Sequence, residues 1–447
     1  MKWLLLPALL AMASAAAQQA QVLSVQDAIR IGRANSRTLQ ASVMRVRAAE
    51  ARAGELDAGL LPSLKLEGGY KRLSDVGPFA VQLPISPAPV VISPSILNDY
   101  NAKVTLQQPL FTGFKLQDAS RSAEFLADAS QQDNRSDAED LTLTITTAYW
   151  SSYQAVQTKA YVDENVQRLD LDRHDTENLL KAGLATKNDL LRIEVQLSNA
   201  RLAQIDAAND VEVAMMTLNN AIGQPLDTEV RLSSVPGSLE GAGDSLSVAD
   251  TPAAPPGEMM QRALAARPDL QAMGFRVDAA RAGLGSARGG WWPQILFTGA
   301  YYYSRPNPRY QPAVDAFKST WEVGISAQMD LWNWGTTSYQ TDQAAATLRQ
   351  NELVYDQMKE NISLDVRRAM LAVHRAGEKI GVARLAVSQA EENLRTIRDK
   401  FKGGLATSSD LLDAEVSTLQ ARTNLTGACV EHEVSRGRLD RALGAGE

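Results

Sequence analysis

Proline is missing from two long windows of this 447-residue chain: none of its 18 prolines lies between Leu110 and Gln224, and none follows Pro312. A proline inside a helix removes a hydrogen bond and clashes with the preceding turn, so windows that exclude it this completely predict helix. From Phe114 to Ala182 glycine is absent as well. At 1.5 Å per residue such a helix would run on the order of 100 Å, a size ordinary globular domains rarely hold. A second stretch of similar length runs from Thr336 to Lys402 and tolerates Gly377 and Gly381.

Both stretches lead into nearly the same motif, GLATKNDLL at Gly183 to Leu191 and GLATSSDLL at Gly404 to Leu412. The offset (404 − 183 = 221) also pairs Glu194 with Glu415, Arg201 with Arg422, Leu218 with Leu439 and Gly223 with Gly444. A period this long excludes short solenoid units and predicts two half-molecules in one chain. Farther upstream, an offset of 231 pairs Leu39-Gln40-Ala41, Gly54, Pro62 and Tyr70 with Leu270-Gln271-Ala272, Gly285, Pro293 and Tyr301. The organisation that follows is a first repeat over 18–223, a Gly-, Ser-, Pro- and Asp-rich linker or equatorial segment over 224–257, and a second repeat over 258–447. Residues 1–17 precede them as an export signal: one Lys, an apolar run, and Ala15 and Ala17 at cleavage-site spacing.

After each GLAT turn the chain reverses into another helix, with Thr186 and Asp189 as cap candidates in the first copy and Ser408 or Ser409 with Asp410 in the second. In the returning helix, Leu190, Ile193, Leu197 and Ala200 form one stripe and Leu191, Val195, Ser198, Leu202 and Ile205 a second. Two seams imply two neighbouring helices, which favours a closed tube over a two-stranded coil.

Between the helices the period changes to two. Leu64 to Lys71 and Ala102 to Gln107 alternate apolar and polar, as do Ile295 to Tyr303 and, most clearly, Trp321 to Leu331. These are half-buried strands, and the last approaches the length of a membrane-spanning strand. Trp291 and Trp292 precede one strand and Trp332 and Trp334 follow another, the placement of an interfacial aromatic girdle. Pro-rich stretches around 84–94 and 306–312 read as exposed loops. No segment after the signal approaches the roughly 20 apolar residues of a membrane helix, so a spanning form must be a barrel. Four strands cannot close one, because the smallest need about eight. Three chains would supply about twelve.

Catalysis is not expected. His174, His374 and His432 stand apart without metal-ligand spacing, and no nucleophile motif or phosphate-cradling glycine loop is present, so neither a cofactor nor a metal is foreseen. The histidines read as solvated or capping groups. Cys429, the one cysteine, excludes an intrachain disulfide and reads as an inert apolar residue. A net charge of −7 without a basic cluster argues against nucleic acid as a partner.

Four landmarks, LSVQDAIRIGRANSRTL at Leu23 to Leu39, LQQPLFTGF at Leu106 to Phe114, the two GLAT-x-x-DLL turns, and RLDRALG at Arg438 to Gly444, make the chain resemble the outer membrane efflux protein (TolC-like) family over nearly its whole mature length. The resemblance implies a mainly α fold with a small β part: a homotrimer with a 12-stranded outer-membrane β-barrel and a long periplasmic α-barrel. It implies residence in the cell outer membrane, in contact with outer-membrane lipid and extending into the periplasm. The implied function is the exit duct of a tripartite efflux pump or type I secretion system, with a periplasmic adaptor (membrane fusion) protein and an inner-membrane transporter as partners. A soluble periplasmic coiled-coil adaptor or structural protein is the alternative, although adaptors usually carry one hairpin beside compact β-domains.

Asp410 and Asp413 are three apart and share a helix face. In the family the matching aspartates line the constriction of the closed periplasmic entrance, and threefold symmetry would gather six carboxylates into a ring that favours cations. The first copy has Asp189 but places Arg192 where the second has Asp413. Gly183, Leu184, Asp189, Gly404 and Leu405 form hairpin tips, beside which the resemblance implies grooves for the adaptor. Where the family's best-known member has an arginine that helps close the entrance, this chain has Ala406.

Overall fold

The computed structural model describes residues 21–82, 84–85, 87–233 and 255–445. The expected signal over 1–17 lies outside these residues, as does most of the segment 224–257. Eight α-helices are described: α1 Val25–Asn35, α2 Arg37–Ala58, α3 Lys115–Lys181, α4 Lys187–Ala221, α5 Pro256–Ala266, α6 Pro268–Arg288, α7 Thr336–Lys402 and α8 Ser408–Leu443. The strands are β1 Gln21–Leu23, β2 Ser63–Arg72, β3 Phe79–Val81, β4 Val90–Ser93, β5 Asn98–Phe111, β6 Val230–Leu232, β7 Gln294–Arg305 and β8 Lys318–Gln328.

The duplication is metrically faithful. α3 and α7 are each 67 residues long and correspond at both ends at the same offset (336 − 115 = 402 − 181 = 221). α1 and α2 correspond to α5 and α6 at the larger offset, and the break between α1 and α2 at Ser36 (φ −61°, ψ 117°) recurs between α5 and α6 at Arg267 (φ −62°, ψ 120°). The offset falls by ten between the first and second strand of each pair (231 − 221 = 10), so the length difference lies in the shorter loop between β7 and β8.

The chain divides into two compact units, and neither is a repeat: one takes the chain up to Ala41, Arg135–Arg267 and the part from Glu360 on, the other Ser42–Asn134 and Pro268–Lys359. The second unit holds an antiparallel sheet in the order β2-β5-β7-β8, so its central pair joins strands from the two repeats. Leu66, Val104, Tyr301 and Trp321 lie in one cross-strand row, and Glu67, Lys103, Tyr302 and Thr320 in the next, so the alternation of each strand becomes one apolar and one polar face. β2 and β8 are the two edges, and the apolar residues Leu64, Leu66, Trp321, Val323 and Ile325 on them are exposed. β8 begins at Lys318 and stops at Gln328, short of the expected Leu331. The reason is its partner: Gln328 pairs with Gln294, the residue after Pro293, whose nitrogen has no proton to extend the ladder. The Pro-rich segment expected as plain loop around 84–94 also contains β4, paired with β3.

The turns from strand to long helix use two consecutive left-handed residues in both repeats, Gly113-Phe114 (φ 65° and 65°) and Trp334-Gly335 (φ 54° and 80°). Each turn therefore keeps one glycine and places one exposed aromatic in a conformation that costs an L-residue about 1–2 kcal/mol.

In the first unit, Leu23, Ile145, Tyr149, Trp150, Leu218, Ile222 and Val434 form the main core. β1 and β6 pair in parallel above it, and the Tyr149 hydroxyl donates to the Leu23 carbonyl at 3.0 Å. Of the two stripes on α4, Ile193, Leu197 and Ala200 are buried, whereas Leu191, Val195, Leu202 and Ile205 are 47, 61, 62 and 67 % exposed. One seam is filled within the chain. The other faces outward.

Candidate functional site

Each GLAT turn is built from a helix stop followed immediately by a helix start. Gly183 (φ 74°) and Gly404 (φ 71°) take the left-handed conformation. The Leu184 N–H then donates to the Leu179 carbonyl at 2.8 Å and the Gly183 N–H to Leu180 at 3.0 Å. Leu405 to Lys400 and Gly404 to Phe401 repeat both bonds at 2.8 and 3.0 Å. This closes the carbonyls that a helix end leaves open. Two residues later a threonine starts the next helix: the Asp189 N–H donates to Thr186 Oγ1 at 3.2 Å, and the Thr186 N–H returns a bond to Asp189 Oδ2 at 3.0 Å. Thr407 and Asp410 form the same box at 3.2 and 2.9 Å. The second cap is thus Thr407, not Ser408 or Ser409, because Thr407 holds the extended conformation (φ −88°, ψ 161°) and both serines already lie inside α8.

Those serines instead bind the first turn. The Ser408 hydroxyl donates to Asp189 Oδ1 at 2.7 Å, and Arg192 donates to Ser409 Oγ. The two residues that differ in role between the copies, Asp189 and Arg192, therefore bind the start of α8. Asp189 is held below the usual carboxylate range by the Thr186 hydroxyl and then by Ser408. The hydroxyl and N–H of Thr407 lower Asp410 likewise. Asp410 and Asp413 are both exposed on the first turns of α8, and Leu184 and Leu405 are exposed at the tips. Ala406, where an arginine was looked for, packs against the apolar cluster of Leu394, Phe401, Leu411 and Ala414.

Just beyond this turn lies a cluster that sequence reasoning missed. Glu415 on α8 and Asp172 on α3 are buried, with side chains 2 % and 10 % exposed, and Arg398 of α7 reaches both, pairing with Glu415 and standing 3.8 Å from Asp172 Oδ2. Burial, and then the neighbouring Asp172, push the Glu415 carboxyl up to about 7, and burial raises Asp172 as well. The only signal was a glutamate beside the core residues Leu411, Ala414 and Thr418. Its repeat mate Glu194 is exposed, so the motif does not announce the burial. Two turns farther along α8, Arg422 bonds Glu164 of α3 at 2.7 Å and Glu391 of α7 at 2.6 Å.

Elsewhere, Trp291, Trp292, Trp332 and Trp334 are each more than half exposed rather than core residues, and Trp332 and Trp334 meet edge to face at 5.7 Å. His174 and His374 are exposed, but His432 is buried beside Glu433 at 3.4 Å, which corrects its reading as a solvated or capping group. Cys429 is buried, and its thiol is pushed up to about 11. Among the described residues no helix is long and apolar enough to cross a membrane, and no acidic, His or Cys cluster suits a metal ion.

The chain is similar to known proteins. The chain is 23 % identical over 423 residues to the proteases secretion protein PrtF of Dickeya chrysanthemi, covering 91 % of this chain and 85 % of that one. It is 23 % identical over 331 residues to the outer membrane efflux protein BepC of Brucella suis, covering 74 % and 68 %. The solved structure of the outer membrane protein VceC of Vibrio cholerae superposes with a TM-score of 0.76 at 18 % identity, over 94 % of this chain and 96 % of that one, and so shares the fold. The model of the outer membrane efflux protein family matches residues 28–224 and 259–445, the two repeats without the segment between them, and the chain belongs to that family of outer-membrane channel proteins.

Proposed function

We propose that three copies of this chain form one exit duct, with twelve strands closing a barrel in the outer membrane and the paired long helices closing a tube in the periplasm. The observation that carries this reading is the sheet. Both edges, β2 and β8, leave unpaired backbone, and the apolar residues on those edge strands are exposed. Hydrocarbon leaves no water to satisfy such edges, so they must pair with further strands. The exposed second stripe of α4 supports the same reading for the helices, since a neighbouring chain would cover it. Cleavage after residue 17 would release repeats 18–223 and 258–447 for this assembly.

Within the duct, Asp410 and Asp413 would ring the inner mouth, and Trp291, Trp292, Trp332 and Trp334 would sit at the lipid boundary. Gly183, Leu184, Asp189, Gly404 and Leu405 would meet a periplasmic adaptor, which couples the duct to an inner-membrane transporter. Transport by conduction, without a chemical step, suits a site made of helix caps and surface carboxylates. Planar-bilayer recording of the purified protein tests the reading: discrete ion-conducting pores are expected. A protein that stayed monomeric in detergent-free buffer and made no pores would be the soluble periplasmic protein instead.

A further inference from the structure

We propose that Asp172 and Glu415 hold one proton between them and that its release loosens α8 from α3 and α7, making the duct's inner mouth a proton-sensitive gate. This rests on the channel reading above, but the site itself is defined by geometry alone. Asp172 is more than nine-tenths buried, and its Oδ2 has no hydrogen-bond donor. Arg398, at 3.8 Å, is too far to supply one. A proton on Glu415 supplies the missing donor, since the two side chains stand within hydrogen-bonding reach of each other.

Charge balance points the same way. With both carboxylates ionised, two negative charges face one guanidinium in a place from which water is largely excluded, and the surplus charge is uncompensated. One proton leaves a single anion opposite a single cation. The surrounding groups do not change this. On α3, Arg168 holds Glu164 and attracts Glu415 less than Arg398 does, and Asp175 repels Asp172; on α7, Lys402 attracts Asp172 from farther off, and Glu391 is committed to Arg422 of α8. α4 meets α3 here through the uncharged Leu169, Leu197 and Ala200, and its Arg201 stands 3.8 Å from Asp170 of α3. A polar pocket of about 10 Å³ beside Glu415, lined by Glu164, Arg168, Thr418 and Arg422, is roughly one water in size and offers the proton a way out.

The site lies where it can act. Glu415 follows Asp413 by two residues on the same helix, and its partners sit on the two long helices against which α8 packs. The repeat-related position has no such device: the repeat mates of Asp172, Arg398 and Glu415 are Asn393, Glu177 and the exposed Glu194. The proton site therefore occurs once, where α3 of the first repeat meets the hairpin that carries both mouth aspartates.

The sign follows from linkage. A carboxyl ordinarily half-ionised at 4.5 and held at about 7 in the closed packing stabilises that packing below the ordinary range, and loses the effect as pH rises through about 7. The difference bounds the coupling at a few hundred-fold per chain, since each pH unit is tenfold. In planar bilayers the open probability is expected to rise at least about tenfold between roughly pH 5.5 and 8.5, with a midpoint near 7. Glu415→Gln, which can still donate to Asp172, should stay closed across that range, and Asp172→Asn should lose the same transition. An infrared band of a protonated carboxyl should be present in the wild-type protein near pH 6, vanish by pH 8.5, and be missing from Glu415→Gln. An unchanged transition in both variants, or no such band at low pH, overturns the proposal. Absence of conductance at every pH would sink the channel reading, while the infrared band would still decide the proton site.

Discussion

Replacing Gly183 or Gly404 by alanine perturbs the hairpin turns through the backbone alone. Both have φ above 70°, and a Cβ added at either meets nothing within 4 Å, so no steric term enters. The left-handed conformation costs alanine about 1–2 kcal/mol, and the stiffer unfolded chain returns about 0.4–1 kcal/mol, leaving roughly 1 kcal/mol per turn. Because each turn is a local unit at a helix end, the loss should appear in local opening before global unfolding. Hydrogen exchange reads it directly. The Leu184 and Leu405 amides, which donate to Leu179 and Lys400, should exchange about fivefold faster in the matching variant, while asparagine, which tolerates this conformation, should cost less. The two substitutions should combine non-additively, since Asp189–Ser408 and Arg192–Ser409 bonds join the turns. Equal exchange for alanine and glycine, or a loss far above 2 kcal/mol, would refute a purely conformational role for these glycines.

Asp410→Asn with Asp413→Asn should lower the cation preference of single channels while preserving the Thr407 cap, as the asparagine amide oxygen still accepts from the Thr407 N–H; unchanged selectivity would remove the pair from the mouth. Tyr149→Phe should cost about 1–2 kcal/mol and increase exchange in β1, by leaving the Leu23 carbonyl without the hydroxyl; an unaltered β1 would show the bond to be idle. Cys429, with its thiol raised to about 11, should resist alkylation near pH 8 until the protein unfolds, because burial keeps the reactive thiolate scarce; rapid labelling of the native protein would contradict its burial.

Much of the fold was legible because its signals are local and periodic. Proline-free windows bounded by glycine marked α3 and α7 almost to the residue, and alternation marked the four long strands. β1 and β6 were not legible, being three residues each and held by contacts distant in sequence. The second helix cap was misplaced by one or two residues, since Thr407, Ser408 and Ser409 are all competent capping types and only backbone conformation separates them. At the site, the tips and aspartates were visible through the duplication. The buried Asp172–Glu415 pair was not, because its burial depends on which faces of three helices meet, and Glu194 shows that the same motif can stand in solvent.

The mass of the mature protein in mild detergent tests most directly whether one chain is an unfinished part of a duct. Light scattering corrected for bound detergent should give three chains per particle, with the exposed α4 stripe protected from exchange. A stable particle of one chain, with Val195, Leu202 and Ile205 still open to solvent, would contradict the assembly.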